Sequence, residues 1–169
     1  MNEADFDKLV REHHGLIWKV CKTFFRNEED QKDLFQDILY KLWKGKDSFQ
    51  QQSKVSTWIY RIGLNEAIDK TRMKKKGLVS LSEANALDLA TAKTRQTEYD
   101  IEALYLAIDQ LKPLEKALIL LYLEQETYRD IAEVIGISEK NVSVKLVRIK
   151  EKLKGYYLDV IKQLEQHGT

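Results

Sequence analysis

The chain has little of what defines small secreted or fibrous proteins: one cysteine, one proline and seven glycines in 169 residues. A single thiol, Cys21, cannot build a disulfide framework, so the expected setting is reduced and cytoplasmic. Scarce proline and glycine exclude collagen-like and Pro-rich classes. No run approaches the roughly 20 apolar residues of a membrane span, and no membrane insertion is expected. The amino terminus, MNEADFDKLVREHH, carries acids where a secretion signal has a basic head and an apolar run. An excess of one charge is missing too. The 28 bases face 27 acids, a balance that argues against a polycation built to coat nucleic acid.

What is present is helical periodicity. Phe6, Leu9, Val10, His13, Ile17, Val20, Cys21 and Phe24 recur at three- and four-residue steps and predict an amphipathic helix over residues 4–25. Cys21 lies in that apolar stripe as a core thiol. Asn27 can cap a second helix, since three acids follow it in the first turn, where the helix dipole favours them. Its buried face is read as Leu34, Phe35, Ile38, Leu39, Leu42 and Trp43. A polar loop, GKDSFQQQSK, precedes a third helix over about residues 56–75.

Residues 77–100 turn to Ser, Thr, Ala, Asn and Gln with few large apolar groups, the texture of a connector. Periodicity then resumes at Ile101. Pro113 stands at a first helical position, where its missing N–H costs nothing. Two further helices, residues 127–134 and about 139–153, meet at the tight Gly136-Ile137-Ser138 junction, which is the helix-turn-helix pattern. The expected fold is all-α: two small helical domains, 1–76 and 101–169, joined by a flexible linker, 77–100.

Summed by segment, the neutral chain divides. Residues 54–76 carry a net +5 and residues 138–169 a net +3, against −6 over residues 77–137. In the last helix Val142, Leu146, Ile149 and Leu153 form an inward stripe, leaving Lys140, Asn141, Val144, Lys145 and Arg148 on the opposite side. An amide, cations and a small apolar group on one face are what contacts to base edges and phosphates in a major groove require, and Ser138 caps the end that would enter. A plain solvated face is the alternative. The first basic patch interleaves Trp58, Tyr60, Arg61, Asn65, Arg72 and Lys74 on one helix, a texture suited to a single strand. Trp58 is more often a core anchor than a base platform, Tyr60 divides more evenly between the two, and Lys74-Lys75-Lys76 can be a solvated helix end.

Three runs carry a resemblance: EDQKDLFQDILYKLWK (residues 29–44), STWIYRIGLNEAIDKTRMKKK (56–76, preceded by Phe49), and LKPLEKALILLYLEQETYRDIAEVIGIS with the helix after it (111–154). In this order, with a short connector, they resemble bacterial sigma factors of the sigma-70 family, of the small extracytoplasmic-function (ECF) type. The resemblance implies that the acidic second helix docks on core RNA polymerase through Asp33, Leu34, Gln36, Asp37 and Tyr40. It implies that the loop with Phe49 and Lys54, and the helix with Trp58, Tyr60, Arg61, Asn65, Asp69, Arg72 and Lys74, hold the melted −10 element. Lys140, Asn141, Val144, Lys145 and Arg148 would read the −35 element as duplex. Lys140, Asn141 and Ser143 depart from the family's usual small and basic residues there, so the promoter sequence does not carry over. An anti-sigma protein is a further expected partner.

No catalytic set or metal-ligand spacing is found: His13 and His14 point about 100° apart on a helix, and His167 lies near the end of the chain. No cofactor is expected. Two rivals stand beside the sigma reading. A sigma mimic that binds only an anti-sigma protein leaves two basic faces unexplained, and a stand-alone helix-turn-helix regulator leaves the second and third helices without a role.

Overall fold

The computed structural model describes residues 1–49, 52–77 and 95–167, and among them the regular elements are all α-helical. They are α1 (Glu3–Phe24), α2 (Glu28–Gly45), α3 (Val55–Lys75), α4 (Arg95–Asp109), α5 (Pro113–Leu123), α6 (Tyr128–Ile135) and α7 (Glu139–His167). None is long and apolar enough to cross a membrane.

Local sequence explains most of the boundaries. The Asp5 N–H donates to Asn2 Oδ1 at 2.8 Å, and Asn27 Oδ1 accepts from Glu29 N–H at 2.8 Å and Asp30 N–H at 3.2 Å, so both asparagines satisfy otherwise orphaned donors at helix starts. Pro113 opens α5 as expected. Thr127 caps α6, whose end is Gly136 in the left-handed region at φ 80°. Ser138 Oγ then accepts from the Asn141 N–H at 3.1 Å and starts α7.

The two glycines of the last helix pair differ in what they ask of the backbone. Gly136→Ala is expected to cost about 1–2 kcal/mol, because a Cβ at positive φ strains against the neighbouring carbonyl. Gly155 lies inside α7 with open space where a Cβ would stand. Gly155→Ala is therefore expected to add about 0.5–1 kcal/mol. Denaturant midpoints of the two variants should move in opposite directions.

Helices α1, α2 and α3 pack mutually around Ile17, Val20, Leu34, Ile38, Leu42, Ile59 and Leu64, all essentially without exposure. Cys21 is sealed in this core, and burial pushes its thiol up to about 12, so it stays protonated and inert. Trp43 departs from expectation. It is exposed, edge-on to Phe6 at 5.1 Å, with the Lys46 ammonium 3.8 Å from its ring centroid.

Two boundaries also move. Helix α4 begins at Arg95, inside the stretch read as connector, and residues 78–94 of that stretch lie outside the described residues. Helix α7 continues past Leu153 to His167, and its second half packs on α4. Ala103 and Ala107, both fully buried, let the two helices approach, and the Tyr157 hydroxyl donates to Asp100 Oδ1 at 3.2 Å.

The two halves of the chain pack against each other: α1 meets α4 and α5, and α3 meets α5 and α6. Six successive residues of α5, Lys116 to Leu121, are buried, which one packing face cannot achieve. One side of α5 rests on α6 and α7, the other on α1 and α3, and the apolar core runs through both halves without a break. Lys116 is drawn into this junction, 3.5 Å from Asp109 Oδ1, while Arg26 reaches Asp109 Oδ2 at 3.6 Å. Desolvation nonetheless lowers the Lys116 ammonium and raises the Asp109 carboxyl.

Candidate nucleic-acid interface

The outer face of α7 is the most open of the three candidate surfaces. Val142, Leu146 and Ile149 anchor the helix from beneath, each at 2% exposure or less. Lys140, Asn141, Val144, Lys145 and Arg148 all face solvent. None of the three cations has an ion-pair partner among the described residues, in contrast to most bases on α3. The bed is firm, since Lys152 Nζ bonds Glu115 Oε1 at 2.7 Å and ties α7 to the start of α5.

The α3 residues expected to act together are divided by the fold. Asn65, Asp69 and Arg72 are on the open side, the last two paired with each other at 3.6 Å. Trp58 and Tyr60 are inside, at 8% and 2% exposure, with Phe49 stacked on Trp58 at 4.7 Å. Burial pushes the Tyr60 phenol well above its ordinary value, and Glu124 and Glu126 add to the shift. Lys74 is buried as well, its ammonium paired with Asp30 and 5.0 Å from the Phe25 ring centroid. In this conformation Trp58, Tyr60 and Lys74 take the core alternative and not the strand-contact one: helical spacing places a side chain on a face, and other helices cover these faces.

Lys54 and Arg61 are partnered across the junction. Lys54 Nζ lies 2.8 Å from Asp130 Oδ2, and an Arg61 Nη lies 3.1 Å from Glu133 Oε1 and 3.2 Å from the Glu133 carbonyl oxygen. The hydrogen bond to Asp130 raises the Lys54 ammonium. Asp130 is correspondingly held below the usual carboxylate range, first by that bond and then by the Thr127 hydroxyl.

On α2, Asp33, Gln36 and Tyr40 are exposed, whereas Asp37 is taken up by an ion pair with Lys70. Leu34 is fully buried and does not belong to a docking surface. It repeats with Ile38 and Leu42 at four-residue steps, the spacing that points into the core. Trp43, placed inside by the sequence reading, instead lies one turn from Tyr40 as a second exposed aromatic on this helix. Periodicity could not separate it from the core stripe, because it stands beside Leu42 at its edge.

Residues 9–77 match the model of Sigma-70 region 2 and residues 101–153 that of Sigma-70, region 4. The chain is 29% identical over 150 residues to the ECF RNA polymerase sigma factor SigM of Mycobacterium tuberculosis, covering 88% of this chain and 74% of that one. It is 26% identical to the ECF RNA polymerase sigma factor SigW of Bacillus subtilis, over 92% and 90% of the two chains. In fold it is similar to the sigma factor RpoE of Bartonella quintana, solved with the anti-sigma factor NepR, at TM-score 0.70, 20% identity and 90% and 96% coverage. With seven helices among its described residues, a helix-turn-helix in its second half and both regions matched in order, the chain belongs to the sigma-70 family, as a factor of the ECF type.

Proposed function

We propose that this sigma factor binds core RNA polymerase through the exposed row of α2, reads duplex promoter DNA through α7 and holds the melted strand along α3. The observation that carries the reading is the α7 face: five polar, basic or small residues, open to solvent and free of ion pairs among the described residues, on a helix seated by a capped helix-turn-helix. Asp33, Gln36 and Tyr40 supply the polymerase contact, with Trp43 beside them. Asn65, Asp69 and Arg72 contact the strand, together with Lys54 and Arg61 once these are free. Trp58 and Phe49 shape the loop beneath, and Tyr60 and Lys74 hold the helix in place.

Melting needs no nucleotide hydrolysis in this scheme. Binding an unstacked strand favours the open state by the difference between its affinities for open and closed DNA. Core polymerase holds both contacts at once and raises the effective concentration of the second. An anti-sigma protein is an expected regulator, since a similar fold has been solved in complex with an anti-sigma factor.

Reconstitution tests the reading. Added to core polymerase with a library of promoter fragments, the protein should produce open complexes on a selected subset, and Asp33→Ala with Tyr40→Ala should lower core affinity at least tenfold, on the order of two contact losses of 1 kcal/mol or more. Absence of core binding, or core binding without DNA selection, overturns it.

A further inference from the structure

We propose that the groove along α1 beside the start of α2 is a nucleotide site, in which the Trp18 indole takes a base and Lys22 with Arg26 takes a diphosphate. Neither the polymerase contact nor the promoter contacts enter into it. Gly15, Trp18, Lys19 and Lys22 recur at three- and four-residue steps, which sets them in one row of α1, and Arg26 follows just past its end. Lys22 stands one turn beyond Trp18, about 6 Å along the axis, an offset that a ribose spans. With Glu28 and Gln31 of α2 these residues line a groove of about 680 Å³. That is the size of a small-molecule cleft.

The indole is held ready as a plate. One face stacks on Phe35, with ring centroids 4.8 Å apart and planes 23° from parallel, and its N–H donates to His14 Nε2 at 2.9 Å. Both contacts fix the ring's orientation, and Trp18, half-buried, still lines the groove. Gly15, one turn before it, puts no side chain into that space, and a Cβ there would meet nothing within 4 Å. Such a plate suits any base, since every base has a π-face.

The charges set what the ring must carry. Lys22 is exposed and has no ion-pair partner among the described residues. Arg26 meets Asp109 loosely, through Nε at 3.6 Å, whereas Lys19 is held by Glu124 at 2.7 Å. One cation is therefore open and a second loosely engaged, a pair matched to two phosphate groups. Glu28, the acid of the groove, is already paired with Lys32 at 2.7 Å. Gln31 gives its amide N–H groups to the Phe25 and Arg26 carbonyl oxygens, at 2.7 and 3.3 Å, and keeps its Oε1 to accept from a sugar hydroxyl. A helical peptide would need a row of apolar anchors, and none of the exposed large apolar side chains of the described residues lies here. A ring joined to two anions, a nucleoside diphosphate, fits what is present.

Isothermal titration of the full chain with ADP and with GDP tests the site. Saturable binding below about 1 mM is expected for at least one of them. The matching nucleoside and pyrophosphate, each carrying half of the recognition, should bind at least about tenfold more weakly, because linking the halves makes the second contact intramolecular. Lys22→Gln should weaken binding about tenfold, as the loss of one charge-assisted contact. Lys162→Gln, the same charge change on the exposed far end of α7, should alter it by less than about twofold. Gly15→Leu, which places a branched side chain in the groove, should abolish binding while its urea midpoint does not fall, since the added atoms meet open space. The site is overturned if neither nucleotide binds saturably, if pyrophosphate binds as tightly as the nucleotide, or if Lys22→Gln or Gly15→Leu binds like wild type. Displacement of the nucleotide by a short oligothymidylate at lower concentration than by free nucleotide assigns the groove to a strand and overturns it as well.

Discussion

Lys74→Ala is expected to destabilise the first three helices by about 3–5 kcal/mol, the cost of leaving one member of a buried ion pair uncompensated. Lys74 is 6% exposed and Asp30 8%, and the pair sits against the Phe25 ring. Asp30 belongs to the first turn of α2, where its N–H is already held by Asn27. That cap fixes its backbone beside the buried pair. Removing the ammonium takes the countercharge from a carboxylate in a nearly water-free place. Replacing both members, Lys74→Met with Asp30→Leu, should recover most of the loss, since an apolar pair of similar volume carries no desolvation penalty. Urea midpoints check both variants. A Lys74→Ala protein of near wild-type stability would mean that the pair stays hydrated and that Lys74 is available to DNA after all.

Arg148→Ala is expected to weaken binding of the polymerase complex to its preferred −35 duplex by roughly 5- to 150-fold, or about 1–3 kcal/mol, the range of one bidentate base contact. Folding stability should change by no more than about 0.5 kcal/mol, as for exposed residues away from caps and cores. The distinction rests on position. Arg148 faces solvent one residue before Ile149, which is buried at 2% exposure and anchors the helix. Lys145→Ala should act differently, weakening all duplex sequences alike and reducing the salt slope by about one, as loss of a phosphate contact does. Titrations of promoter and scrambled duplexes at several salt concentrations separate the two. A uniform loss from Arg148→Ala would reassign it to the backbone, and a lowered urea midpoint would make it structural.

Much of this architecture was legible in the residue order because its causes are local. The caps at Asn27 and Thr127, the proline at the start of α5 and the left-handed glycine at 136 act within a turn of their own positions. The α7 face could be read for the same reason: a 3.6-residue period divides any helix into an inner and an outer side, and in α7 the outer side is open. On α3 the same period left Trp58, Tyr60 and Lys74 open between core and surface, and other helices cover the faces on which they lie.

Residue order by itself determined the helices, their order, the helix-turn-helix and the segregation of charge into two basic stretches and an acidic one. Tertiary structure alone decided which charges meet. The apolar run of α5 declares that it must be buried on several sides, but hydrophobic burial is non-directional and does not name its partners. Only the packed chain shows that α1 and α3 take the second side of α5. That choice brings α6 against α3 and puts Asp130 on Lys54 and Glu133 on Arg61. Ion pairs between residues more than seventy positions apart depend on where backbones lie in space, and no local period encodes that.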